Sequence, residues 1–229
     1  MAYRVLYAED EEELRSAVTA LFEKFGFEIR SFASCDELLE TYASVSCDLI
    51  ILDILMSGTS GLEALRRIRE ISQVPVIMLT ALGSSRDQVE GLMSGSDDYL
   101  VKPFSPAVLI ARAKALLRRV EFAKCDDCPG DISYGDVVFS AKERQVTVAG
   151  TAVSFTPTEV SLLAYLLGRP EVAVAKEELL REIWGFDDSV ETRATEIAAR
   201  RLRNKLVDAG SSVAIQTVWG YGYKVTLMT

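Results

Sequence analysis

Apolar residues fall in short unbroken runs through the first half of the chain. Leu49-Ile50-Ile51-Leu52 is the clearest, four in a row between polar neighbours. Such a run reads as a strand buried on both faces. Strands are predicted near 3–8, 27–31, 48–53, 75–79 and 98–101. Between them the apolar residues are spaced for helices, at 12–25, 35–44, 60–71, 85–95 and 105–119. Leu62, Leu65, Ile68 and Ile71 lie on one helical face, and Val108, Leu109, Ala111, Leu116 and Leu117 cover the last helix. Strand and helix alternate throughout, which predicts an α/β fold with a five-stranded parallel sheet, doubly wound with helices on both faces.

The pattern changes after residue 120. Residues 121–130 are polar and end in Pro129-Gly130, as a linker would. Short strands follow near 137–139, 144–148 and 153–155, with a turn at Ala149-Gly150. Helices are predicted at 157–168, 176–184 and 190–208. A hairpin pairs 213–218 with 222–227 around Gly220-Tyr221-Gly222. This half reads as a separate α+β domain over 131–229, with the first domain over 1–120.

The chemistry gathers where the first domain's strands stop. One strand runs into Glu9-Asp10, another into Asp53, a third into Thr80 and a fourth into Lys102-Pro103. Parallel strands present these ends at one edge, where open α/β sheets bind ligands. Carboxylate oxygens suit Mg²⁺. Asp53 can act as a nucleophile toward a phosphoryl donor. Thr80 and Lys102 can offset charge on the transferred group. Helix capping by Asp53 and Asp10 alone leaves the matched strand ends unexplained.

Composition narrows the classes. A hydrophobic fraction of 49% over 229 residues suffices for one or two real cores. No apolar stretch approaches a membrane span. The opening residues enter a strand at once, so no signal peptide is expected and the cytoplasm is the expected compartment. With no histidine, histidine catalysis and histidine metal ligands are excluded. Cys35 and Cys47 read as small, partly buried residues. Cys125 and Cys128 form a Cys-x-x-Cys without a second pair, which reads as linker; a redox or metal role is the alternative.

The net charge is -9, unpromising for nucleic-acid binding until its distribution is considered. Within 190–206, Arg193, Arg200, Arg201, Arg203 and Lys205 face only Glu191 and Glu196. Arg193, Ile197, Arg200, Arg201 and Asn204 are spaced to lie near one helical face. Ala198 and Ala199 keep that helix slim, as a major groove requires.

Two sets of motifs carry a resemblance to a known family. Glu9-Asp10, Asp53, Leu79-Thr80-Ala81, Gly95-Ser96-Asp97-Asp98-Tyr99 and Lys102-Pro103-Phe104 resemble the receiver domain of two-component response regulators. Thr156-Pro157-Thr158-Glu159, Leu179 with Ile183-Trp184-Gly185, residues 201–206 and residues 217–223 resemble the winged helix-turn-helix domain of the OmpR/PhoB-like subfamily. The resemblance implies a flavodoxin-like receiver followed by a winged helix. It implies a DNA-binding transcriptional regulator, not a metabolic enzyme. A sensor histidine kinase would phosphorylate Asp53, with Mg²⁺ held by Glu9, Asp10 and Asp53. Lys102 and Thr80 would hold the phosphoryl group, and Tyr99 would turn inward with Thr80 as the switch.

Further roles follow from the same resemblance. Double-stranded DNA would be contacted by Arg193, Arg200, Arg201, Arg203, Thr217 and the wing-tip Trp219, with RNA polymerase as a further candidate partner. A homodimer would form on phosphorylation through Asp97, Asp98, Arg112 and Arg119. The other reading is a regulator governed by protein contact or by redox state at Cys125 and Cys128.

The chain also departs from the family pattern. Ser57 stands where proline is usual, which predicts a looser loop beside Asp53. Gln88, Met93 and Val108 replace charges common on the dimer face. Trp219 occupies a wing position often basic, and Ala198 one often polar.

Overall fold

The computed structural model describes residues 2–81, 95–122, 131–143, 145–185 and 194–228. The chain divides into two compact units after Leu117. In the first unit the strands are β1 (Arg4–Ala8), β2 (Glu28–Phe32), β3 (Leu49–Asp53), β4 (Val76–Ala81) and β5 (Asp98–Lys102). They form one sheet in the order β2-β1-β3-β4-β5, parallel throughout.

Four helices of this unit are described: α1 (Glu12–Lys24), α2 (Cys35–Tyr42), α3 (Gly61–Ile71) and α4 (Pro106–Phe122). The all-apolar run of β3 serves two layers at once. Ile50 and Leu52 join Leu38, Leu65 and Ile68 on the α2–α3 side. Leu49 and Ile51 join Val18, Phe22 and Leu109 on the α1–α4 side. Successive strand residues point to opposite faces, so a strand covered twice must be apolar at every position. Ser34 and Ser60 accept backbone N–H bonds that start α2 and α3. The expected helix at 85–95 falls outside the described residues.

In the second unit, β6 (Ile132–Tyr134), β7 (Val137–Ser140), β8 (Gln145–Val148) and β9 (Thr151–Val153) form an antiparallel sheet in chain order. Helix α5 (Pro157–Leu167) follows, opened by a reciprocal Thr156–Glu159 capping box with Pro157 in its first turn. The chain then forms β10 (Val174–Ala175), α6 (Lys176–Leu179) with a π-helical turn over Leu180–Trp184, and α7 (Ala194–Asp208). It ends in the hairpin of β11 (Val213–Val218) and β12 (Gly222–Leu227), with β10 paired to β12. Leu162, Leu166, Trp184, Leu202, Leu206 and Val225 meet in one core.

The differences from the sequence reading are local. Strands β6 and β10 were not expected. Strand β9 lies two residues before its expected place, because Ala149 and Gly150 both take positive φ and Val148 pairs directly with Thr151. That is a two-residue hairpin turn, with no room for a longer loop. Helix α4 runs on to Phe122, past the expected start of the linker. No helix among the described residues is long and apolar enough to cross a membrane.

Candidate functional site

The register of the parallel sheet fixes the composition of one edge. Ala8 pairs with Leu52, Asp53 with Leu79 and Ala81 with Lys102. Glu9, Asp53, Thr80 and Lys102 are therefore brought together. Glu9, Asp53 and Thr80 are buried, and Asp10 is exposed. The Lys102 ammonium donates to Asp53 Oδ2 at 2.7 Å and to Glu9 Oε1 at 2.8 Å. Burial pushes the Glu9 carboxyl above its usual range, opposed by the bond from Lys102. Desolvation works against the Lys102 charge too, but hydrogen bonds to Asp53 and Glu9 outweigh it and raise its pKa.

Asp53 does not cap a helix. Its Oδ1 accepts the Leu55 N–H at 3.2 Å, and α3 is capped by Ser60. The loop between them is tight, because a Cβ on Gly61 would stand 2.0 Å from the Asp53 carbonyl oxygen. Only glycine fits that approach. Helix α1 likewise begins beyond Asp10, with Glu11 at its cap and no side-chain bond there.

Glu9, Asp10 and Asp53 each offer an oxygen within 4.8 Å of the others. All three are hard donors, the type a small divalent cation takes. Against one ammonium they leave two formal negative charges, and the exposed Asp10 side leaves room for water. The residues present fit Mg²⁺.

Thr80 is buried, and among the described residues its hydroxyl donates to the Ala81 carbonyl at 3.4 Å. Tyr99 is half-buried on β5, two residues before Val101, the register partner of Thr80. Two groups were missed in the sequence. The buried Tyr7 hydroxyl donates to Glu9 at 3.3 Å, and Arg15 donates to the Glu9 and Asp10 carbonyls at 2.7 and 3.2 Å. Neither lies in a motif; Tyr7 was visible only as a polar atom inside an otherwise apolar strand.

The expected dimer-face charges need correction. Asp97 is buried and binds Arg69 at 2.9 Å and the Val76 N–H at 3.0 Å. Asp98 is fully buried and binds Arg112 at 2.8 Å. Both carboxylates serve as internal ties, since buried charge must be paired. Neither is a surface charge. The Arg119 side chain, Gln88 and Met93 lie outside the described residues. Val108 is exposed.

The basic stripe is corrected in the same way. Arg201 pairs with the buried Glu159 at 2.8 Å, and Lys205 with its other oxygen at 2.7 Å. Arg203 donates to the Ile215 carbonyl and to Thr217 Oγ1, at 2.8 and 3.1 Å. These cations tie α7 to α5 and to the hairpin. Ala198 and Ala199 are buried in the core and do not slim an outer face. The outward face of α7 carries Glu196, Arg200 and Asn204. Thr217 is exposed, and Trp219 is 92% exposed at the hairpin tip. Arg193, Cys125 and Cys128 fall outside the described residues.

Comparison with known proteins agrees with both halves. Residues 5–114 match the response regulator receiver domain. Residues 150–225 match the C-terminal domain of transcriptional regulatory proteins. The transcriptional regulatory protein ResD of Bacillus subtilis is 36% identical over 96% of this chain and 95% of its own length. The transcriptional regulatory protein AfsQ1 of Streptomyces coelicolor is 38% identical, covering 96% and 97%. The crystal structure of DrrB, a Thermotoga maritima OmpR/PhoB homologue, covers 99% of this chain and 100% of its own, at 26% identity and a TM-score of 0.52.

Proposed function

Because the chain belongs to the OmpR/PhoB-type response regulators, we propose that Asp53 receives a phosphoryl group and that this event governs DNA binding by α7 and the wing. The protein is a transcriptional regulator of a two-component system, not a metabolic enzyme. Its partners by class are a sensor histidine kinase and DNA. The observation that carries the finer reading is the meeting of Asp53, Glu9 and Lys102 at one sheet edge.

An Asp53 oxygen attacks the phosphorus of the kinase's phosphohistidine; the new O–P bond forms as the N–P bond breaks, and the imidazole leaves. Glu9, Asp10 and Asp53 would hold Mg²⁺, which supplies charge to the phosphoryl oxygens. Lys102 is already placed against the reacting carboxylate and would follow the charge onto the product. Thr80 would donate to a phosphoryl oxygen, and Tyr99 would fill the space it vacates. That change biases an existing equilibrium toward a homodimer. The domains are taken as receiver 1–120, linker 121–130 and winged helix 131–229, working in the cytoplasm, with RNA polymerase as a downstream partner. Arg193, Arg200, Thr217 and Trp219 are proposed to touch DNA. Arg201 and Arg203 act by holding the reading helix.

Acetyl phosphate with Mg²⁺ tests the acceptor. Wild type should gain one phosphoryl group by intact mass, and Asp53→Asn none, because an amide is not a competent nucleophile. An unlabelled wild type, or an Asp53→Asn chain labelled as fully, sinks the assignment.

A further inference from the structure

We infer that Asp36, on the first turn of α2, is a positioning residue for Asp53, acting by gripping the apex of the loop between β3 and α3. The inference rests on Asp53 being the acceptor. The Asp36 carboxylate accepts the Thr59 hydroxyl at 2.6 Å, with the Thr59 N–H at 3.5 Å. Its pKa is held below the ordinary carboxylate range, chiefly by that hydroxyl bond. Capping does not account for the arrangement, since Ser34 already accepts the Glu37 N–H at the start of the helix.

Two neighbouring contacts belong to the same grip. Gly58 takes φ +79°, and a Cβ there would stand 3.2 Å from Asp36 Oδ2. The chain thus wraps closely round the carboxylate. The buried Cys35 thiol lies 3.4 Å from the Met56 sulfur. Two successive residues of α2 therefore hold Met56 and Thr59 of the loop, with Gly58 passing close by.

The grip has a route to the chemistry. The loop's base is closed by the Gly61 N–H on the Ile54 carbonyl at 3.2 Å. Next to it, the Leu55 N–H fixes Asp53 Oδ1, leaving Oδ2 toward Lys102. A loop held only at its base is free to tilt that N–H, and a nucleophile loses rate steeply when its orientation spreads. Ser57 lacks the backbone restraint of proline, so a side-chain bond from outside the loop supplies what the loop's own sequence does not. Asp36 is solvent-exposed, so water competes for its bonds and the effect should be moderate.

The test uses the full chain with two readouts: the rate of Asp53 labelling by acetyl phosphate at saturating Mg²⁺, and amide exchange over residues 54–60. Thr59→Val keeps the shape and removes the donor. It should slow labelling about three- to tenfold and speed exchange in the loop, with exchange in β3 and β4 unchanged. Asp36→Ala, which also removes the longer Thr59 N–H contact, should slow labelling at least as much, and the double variant should be no slower than Asp36→Ala alone, since both act on the same pair. Thr59→Ser restores the hydroxyl and should label at the wild-type rate. Wild-type labelling by Thr59→Val, an equal loss in Thr59→Ser, or unchanged loop exchange in Thr59→Val would overturn the inference. Exchange rising across the whole sheet would also overturn it, because the variant would then act through stability. An unlabelled wild type would bring down the acceptor reading along with this one, whatever the exchange shows.

Discussion

The buried acids described in the receiver unit survive by pairing with a cation. Asp53 and Glu9 share Lys102, Asp97 takes Arg69 and Asp98 takes Arg112. The first set differs from the others in being unfinished: one ammonium serves two carboxylates at an edge that Asp10 leaves open to solvent. That excess charge is what makes it a site and the others ties. The thiols of Cys35, which is buried, and Cys47, which is half-buried, are inert by the same physics. Burial, with nearby carboxylates, pushes Cys35 and Cys47 up to about 12. At pH 8 the reactive thiolate would be on the order of one part in ten thousand of each. Because the shift is upward, reactivity should rise only as pH climbs toward that value. Alkylation of the folded protein at pH 8, followed by peptide mapping, should leave both residues unmodified, and unfolding should expose them. Rapid modification of either in the native chain would show that the burial argument fails.

At the scale of elements, α7 shows what a helix loses and keeps when it packs. Adjacent helical residues point about 100° apart, so Arg200 faces outward while Arg201 turns to Glu159. Arg201→Ala removes the cation from Glu159 Oε1, leaving the buried carboxylate with Lys205 and the Thr156 N–H on Oε2, and should cost about 1–3 kcal/mol of winged-helix stability. Arg200→Ala should leave the melting temperature unchanged and lower the DNA-binding salt slope by about 1 if it meets a phosphate. Melting curves beside DNA titrations at several salt concentrations separate the two. Equal effects of both variants on salt slope, with neither affecting melting, would restore the surface stripe.

This split explains what was legible in the sequence. The apolar runs showed β3 and β4 most plainly, because a doubly covered strand has no polar position to confuse the pattern; the edge strand β2 is largely polar and exposed. The acidic edge followed from where those runs stop. Strands β6 and β10 have three and two residues, too short for any period to register. The direction of Arg201, Asp97 and Asp98 was hidden because each depends on a partner distant in sequence: Glu159, Arg69 and Arg112. The grip of Asp36 on Thr59 spans 23 residues and left no local signature.

For the whole molecule, the consequence concerns how two copies would meet. Each chain carries a net charge of -9, so copies repel at a range of about 10 Å in 0.1 M salt. The expected counterweight was a set of paired charges on the dimer face. Asp97 and Asp98 are internal, and Arg112 is committed to Asp98. Among the described residues α4 presents Val108, 43% exposed, along with the exposed Lys114 and Arg118. Burying a full valine contributes roughly 1.5–3 kcal/mol, and this one is already partly covered, so it adds less per copy. Dimerisation through this face should therefore be weak, and tethering on adjacent DNA half-sites would strengthen it by effective concentration. With Asp97, Asp98 and Arg112 paired internally, salt has fewer charge pairs between copies to screen and a mutual repulsion to relieve. Sedimentation of the chain with Mg²⁺ and a beryllofluoride mimic should show association that holds or tightens as salt rises. Val108→Asp should reduce it by placing like charge in an apolar contact. Steep dissociation with salt, or association indifferent to Val108→Asp, would mean that charge pairs elsewhere on the receiver hold the copies together.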